Sequence, residues 1–379
     1  MIHVLLLAMA LGGADSTPAV RFEQSPGQVA IQVGGKPFAT YVYQDDNIPR
    51  PYFCDLYAPN GVKVTRNHPP VEGRDLTDHA TYHPGLWLAF GDVSGADFWR
   101  NKAEVRHVEF LEAPRDGTFT VRNSYEAEGK QILLEECRYT VRPRENGTLL
   151  LWSSVFWTAT GEAAFGDQEE MGLGVRVATQ LTVEKGSGRI LNSAGLRNED
   201  GAWGKQALWC DFSGTLDGQP AGVTLMAYPK ALSDALIQHR CFVVAEAGGV
   251  IQEAAVPADL GLPWFHARDY GLLVANQFGR HAFTNGPKVK LVIPESGDLR
   301  LHFGVYVHND APQRPDELAP VYEDYLRWAD RDLPETGDRL PRGRYIYDKL
   351  LPEDRLDEKV DIEIQMEEDR PPEVIQEPR

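Results

Sequence analysis

From about Val20 to Phe303 the apolar positions come in short runs rich in β-branched and aromatic side chains, at residues 29–33, 119–122, 131–135, 149–157, 175–178, 221–226 and 299–307. Such runs, bounded by turn-forming residues, predict strands rather than helices. Gly34-Gly35, Asp116-Gly117, Asn146-Gly147 and Asp217-Gly218 stand between them, as antiparallel hairpins require. The pattern therefore predicts an all-β chain folded as one large antiparallel β-sandwich over residues 20–330, with no internal repeat and no dividing linker. One helix is expected late, from Pro315 to Ala329. There Leu318, Val321, Tyr322, Tyr325, Leu326 and Trp328 recur near helical spacing behind a first-turn proline, as a stripe that closes one end of the sandwich.

The two ends of the chain read differently. Residues 3–11 are apolar and are followed by Gly12-Gly13-Ala14, which predicts a secretory signal at 1–14; a buried first strand is the alternative. Residues 331–379 read as an acidic, largely disordered tail, because 352–379 alone carry eleven Asp or Glu against four Lys or Arg. The net charge of −18 opposes nucleic acid and anionic lipid. No other apolar stretch reaches the ~20 residues of a membrane helix, so no membrane span is expected. Cys54, Cys137, Cys210 and Cys241 contain no Cys-x-x-Cys pair, and leave open one disulfide or four buried thiols.

Candidate chemistry is densest between Asp78 and Lys102. His79 and His83 are spaced for one face of a helix, but Pro84-Gly85 follows at once and predicts a loop or strand entry. They could bind substrate or move a proton, serve as structural hydrogen-bonding groups, or hold a metal with Asp78, Asp92, Asp97 or His266 as third ligand. Asp92 and Asp97 sit in a stretch faintly like a calcium loop that lacks the closing glutamate, so each reads either as a substrate contact or as a turn cap. Trp99 and Lys102 complete this wall. Glu169 and Glu170 precede a predicted strand that ends at Arg176, so either glutamate could act as a general base, with Arg176 holding it ionised or binding an anionic group. Alternation along a strand sends Trp264, His266, Arg268 and Tyr270 to one face, a combination unlike a plain core and suited to a polar ring-shaped ligand; Asn276 follows closely. Trp203, in a tryptophan-rich stretch expected to be one strand over 202–214, adds a pocket wall. No serine nucleophile elbow, zincin helix or dinucleotide loop is present.

Several blocks together resemble the secreted bacterial proteins labelled "methane oxygenase PmoA", a domain of unknown function. They are residues 66–73, 78–87, 91–102, 166–178, Trp203-Gly204 and 266–279. The resemblance implies a large antiparallel sandwich, similar by analogy to the galactose-mutarotase-like supersandwich, and supplies no catalytic residues. The label does not imply a particulate methane monooxygenase, whose subunit spans the membrane. The expected function is that of an exported carbohydrate-active protein, an enzyme acting on a sugar or glycoside as an epimerase, lyase or hydrolase. Glu170 or Glu169 would be the base, His266 or His83 the acid, and Arg268 with Trp264 or Trp99 would position the ring. No cofactor is required, and the partner is a carbohydrate or other polar small molecule. The alternatives are a non-catalytic glycan-binding or surface interaction module, and a metal-dependent oxygenase or hydrolase using His79 and His83.

Overall fold

The computed structural model describes residues 18–247, 250–253 and 262–332. A nine-stranded sheet runs, in spatial order, Val20–Ser25, Gln28–Val33, Lys36–Val42, Tyr52–Cys54, Leu86–Phe90, Met171–Arg176, Leu272–Asn276, Trp264–Arg268 and Lys205–Gln206. An eight-stranded sheet runs Arg189–Asn192, Trp209–Leu216, Gln219–Ala227, Leu299–His308, Gly147–Trp157, Lys130–Arg144, Thr118–Ala127 and Glu104–Arg115. A four-stranded sheet built on Ala163–Phe165, Val289–Ile293, Phe242–Ala247 and Val250–Glu253 completes the fold. The paired strands are antiparallel throughout. The chain is the antiparallel β-sandwich that its apolar pattern predicts.

Two-residue alternation decides what each strand of the large sheet faces. Leu86, Leu88 and Phe90 on one strand, Leu173 and Val175 on the next, Leu273 and Ala275, then Phe265 and Ala267 all join the main core. Against them the eight-stranded sheet presents aromatic rings: Phe53 lies 5.1 Å from Tyr139 and 5.5 Å from Trp152, and Phe90 lies 5.7 Å from Phe156. The intervening residues Trp87, Ala89, Leu272 and Val274 belong to a second, smaller cluster with Trp99, Tyr52 and Tyr270. That second cluster is the apolar base of the face described below.

Two expectations need correction. Residues 202–214 are not one strand: a short helix, Asn198–Ala202, precedes the two-residue strand Lys205–Gln206, and Trp209–Leu216 belongs to the other sheet. The late helix, Ala319–Asp332 after a 3-10 turn at Pro315–Glu317, packs against the strands Gly147–Trp157 and Leu299–His308 instead of closing an end. Tyr325 sits there over Gly304, where a Cβ would lie 2.7 Å from its ring. Of the two alternatives left open for the cysteines, the structure shows the second: all four are free and buried. The signal expected at 1–14 and the tail from 333 onward lie outside the described residues. Among the described residues, no helix is long and apolar enough to cross a membrane.

Candidate functional site

The outer face of the nine-stranded sheet carries the candidate chemistry. Cross-strand pairing aligns Trp87, Gly174, Val274 and His266 in one row, and Arg176, Leu272 and Arg268 in the next. Trp87 and His266 are thus three strands apart, about 14 Å at the usual strand spacing. Gly174 lets the Trp87 ring lie flat on the sheet, since a Cβ there would stand 2.7 Å from it. At the entry to the Trp87 strand, Gly85 (φ 153°) passes so close to strand Tyr52–Cys54 that a Cβ would lie 2.4 Å from the Phe53 carbonyl.

A column of rings rises from that row. His83 stacks on Trp87 at 4.9 Å and 12°, and His79 stacks on His83 at 4.9 Å and 28°. Residues 78–82 form a turn, and His83 N–H donates to the His79 carbonyl at 2.9 Å, so the predicted loop is correct. Trp87 and His83 are buried, while the His79 side chain is 49% exposed. The turn is fixed from beneath by Arg66, itself 1% exposed. Its Nη1 donates to the Leu76 and Asp78 carbonyls at 2.7 and 2.8 Å, and its Nη2 to those of His83 and His79 at 3.1 and 3.5 Å. Burial pulls this guanidinium down to about 10, which leaves it charged at neutral pH. Arg50 does similar work one layer away, donating to the carbonyls of Phe98, Trp99 and Tyr82.

Arg176 closes this half of the face. Its Nη2 donates to Asp78 Oδ1 at 2.7 Å, its guanidinium lies 4.5 Å from the Tyr270 ring, and its Nε and Nη1 have no partner. Burial pushes the Asp78 carboxyl up, but the His79 hydrogen bond and the Arg176 and Arg66 charges outweigh it and hold the group below its usual range. Burial, helped by Arg176, His79, Arg66 and Arg50, holds His83 well below the usual imidazole value. His83 is therefore neutral, and neither of its ring nitrogens has a partner.

The other half is built around His266, which is 3% exposed. Its Nδ1 faces the Glu169 carbonyl at 3.3 Å; a carbonyl only accepts, so Nδ1 carries the proton and Nε2 presents a lone pair. That Nε2 has no partner. Trp203 and Phe283 meet the imidazole edge to face at 6.5 and 6.2 Å. Asn276 fixes the approach of the glutamates by donating to the carbonyls of Gln168 and Glu169 at 2.8 and 3.1 Å. Burial, opposed in part by Glu169, lowers the affinity of His266 for a second proton. Tyr270 joins the two halves, its ring lying 4.5 Å from the Arg176 guanidinium and 5.5 Å from that of Arg268. Arg268 in turn pairs with Glu199 at 2.9 Å.

The structure places the predicted residues as follows. Trp264, His266 and Arg268 share the outer face, as alternation requires, with Tyr270 beside them. Glu170 does not meet Arg176: the two lie at opposite ends of strand Met171–Arg176, and Glu170 pairs with Arg100 instead. Asp92 and Asp97 cap turns, accepting from the Gly95 and Arg100 backbone N–H groups at 2.9 Å each. Asp97 also pairs with Arg100 and with Lys102, whose side chain is 71% exposed. Trp99 packs edge-on against Trp87 and is 1% exposed, so it offers no free face for stacking. Because His83 and His266 are held neutral, they suit proton acceptance better than the acid role expected of them. Sequence reasoning missed Arg50, Arg66 and Glu199. Nothing in the polar stretch Lys63-Val64-Thr65-Arg66-Asn67-His68 marks Arg66 as a buried arginine. A cavity of about 300 Å³ lined by Lys63, Asn67, Arg74, Asp75 and Gln180 touches none of the predicted site residues.

An antiparallel β-sandwich with a polar, histidine- and arginine-bearing outer face is the class that these observations define. The chain belongs to a family of unknown function, DUF6807, which it matches over residues 28–323. The expectation of an uncharacterised domain family therefore holds, and nothing supports the methane-oxygenase label. No curated protein matches the chain. Among solved structures it is similar to a galactose mutarotase-like protein from Clostridium acetobutylicum (9% identity, TM-score 0.35, covering 78% of this chain and 100% of that one). It is also similar to a polysaccharide lyase (11%, TM-score 0.35, 82% and 35%) and to an alpha-N-acetylgalactosaminidase from Bifidobacterium bifidum (9%, TM-score 0.30, 83% and 38%). The chain spans little more than a third of the length of these last two. At such TM-scores the likenesses carry no conclusion about activity.

Proposed function

We propose that the outer face of the nine-stranded sheet is the active site of an exported carbohydrate-active enzyme that takes a proton from a sugar or glycoside. The observation that carries this reading is His266, a buried imidazole whose tautomer is set by the Glu169 carbonyl and whose Nε2 lone pair has no partner. A neutral imidazole in a poorly solvated setting is a competent general base near neutral pH. Trp203 beside it provides a partly exposed ring for a sugar face, and Arg268 provides a cation for a ring substituent. Glu170, charge-paired with Arg100, is the carboxylate that would work with His266. Epimerisation or lyase chemistry uses one such base, whereas hydrolysis needs two carboxyl groups across the scissile bond.

The test is to follow anomer ratio and linkage by NMR when the purified protein is incubated with a panel of sugars, uronides and glycosides. Turnover that falls by about 10²-fold or more in His266→Gln with binding retained supports the assignment. No turnover on any member of the panel, with binding present, turns the reading to its competitor.

That competitor is a non-catalytic glycan-binding module, favoured by one observation: Glu170 and Glu199 are each engaged by an arginine. It predicts binding that survives His266→Gln and Glu170→Gln but is lost in Trp203→Ala.

A further inference from the structure

We propose that Asp78, His79 and His83 form a site for one divalent metal ion, zinc by the chemistry of the donors. One ligand atom from each residue lies within 4.8 Å of the other two. The second observation is independent of that proximity. His83 is 3% exposed, yet both its ring nitrogens lack a partner. A buried imidazole with no hydrogen bond is costly unless something absent from the protein satisfies it.

The surroundings are built as a metal site's surroundings are. Asp78 Oδ1 is held by Arg176 at 2.7 Å, which leaves Oδ2 turned toward His79. Arg66 ties down the carbonyls of Asp78, His79 and His83, so the backbone that carries all three donors is fixed before any ion arrives. Two imidazoles on one tetrahedral zinc, with bonds of about 2.0–2.1 Å, have ring centroids roughly 5 Å apart. His79 and His83 are stacked at 4.9 Å and 28°, so His79 must turn out of the stack before both lone pairs point at one ion. Tetrahedral donors stand about 3.3 Å from one another, so the half-exposed His79 must swing inward by an ångström or more. Three protein ligands leave a fourth position open to water or to a hydroxyl.

The arginines set a limit. The Arg66 and Arg176 guanidiniums repel a dication, so the affinity should be weaker than that of a structural zinc site. This site makes no demand on His266 and stands whether or not the sugar reading holds.

The experiment titrates Zn²⁺ alone into the full chain by calorimetry, repeated with Co²⁺ for its ligand-field absorption. Circular dichroism establishes folding of each variant. The expected result is one ion per chain and at least a tenfold loss of affinity in His79→Ala, an exposed position, and in Asp78→Asn. His281→Ala, at an exposed histidine in the short helix Arg280–Thr284, should leave binding unchanged. No saturable binding to the wild type, or equal binding by wild type and His79→Ala, overturns the proposal. So does an equal loss in His281→Ala.

Discussion

The two faces of the nine-stranded sheet are made by the same strands and obey opposite rules. The inner face, with Leu88, Phe90, Leu173, Val175, Phe265 and Ala267, is apolar and meets other apolar rings. The outer face alternates with it residue by residue, and there glycine, indole, imidazole and guanidinium stand among Ala89, Leu272 and Val274. Stability is concentrated on the first face. On the second, polar side chains are buried and several of their atoms have no partner, which costs free energy unless something outside the chain satisfies them.

The largest effect should come from the inner face. Phe90→Ala removes a fully buried ring, and denaturant titration should show a loss of about 3–5 kcal/mol. Acid should act next. His302, buried behind the other sheet, is pulled from 6.5 to about 4 chiefly by burial, with Arg300 and His239 adding to it. The unfolded chain binds that proton first, so stability is full above about pH 6.5 and falls as pH drops toward about 4. The expected loss from this one group is roughly 3 kcal/mol. His302→Gln should flatten that part of the stability curve. His266 and His83, both lowered in the same direction, add to the slope from the outer face.

Arg66→Lys sharpens the contrast further. An ammonium group cannot reach four carbonyls at once, so stability should fall by about 2 kcal/mol. Amide exchange should rise across residues 76–83 and stay unchanged in the strands. The smallest effect belongs to Glu199→Gln. Its pair with Arg268 is about a third exposed, so stability should change by less than about 1 kcal/mol. Ligand affinity should move more than stability; a change confined to stability would count against Arg268 as a binding group.

Local pattern was enough for some of this. Alternation located the Trp264–Arg268 strand and which of its residues face outward, because period two follows from strand geometry alone. Pro84-Gly85 pointed to a loop or strand entry rather than a helix at His79 and His83, and residues 78–82 form a turn. What could not be read was partnership across sequence distance. Arg176 finds Asp78 rather than the nearby glutamates because strand register carries it to the far end of its strand from Glu170. Arg268 finds Glu199 through a five-residue helix too short to announce itself by periodicity. Arg66 is a side chain that hydrogen-bonds only to backbone, and nothing in residues 76–83 signals that their carbonyls need it. The helix misjudgement has the same origin: its apolar stripe was plain, but the notch at Gly304 that receives Tyr325 belongs to another part of the chain.

The ring column carries an optical consequence. Trp87 lies fully buried beneath His83, which lies beneath the half-exposed His79. An indole in that setting emits at the blue end of its range, and its emission is sensitive to the charge of an imidazole stacked on it. Any event at the top of the column that places charge on His83, whether a proton or an ion, should be visible as quenching of Trp87. The difference between wild type and Trp87→Phe isolates that signal from the other tryptophans, so occupancy of this face can be followed in solution without a label.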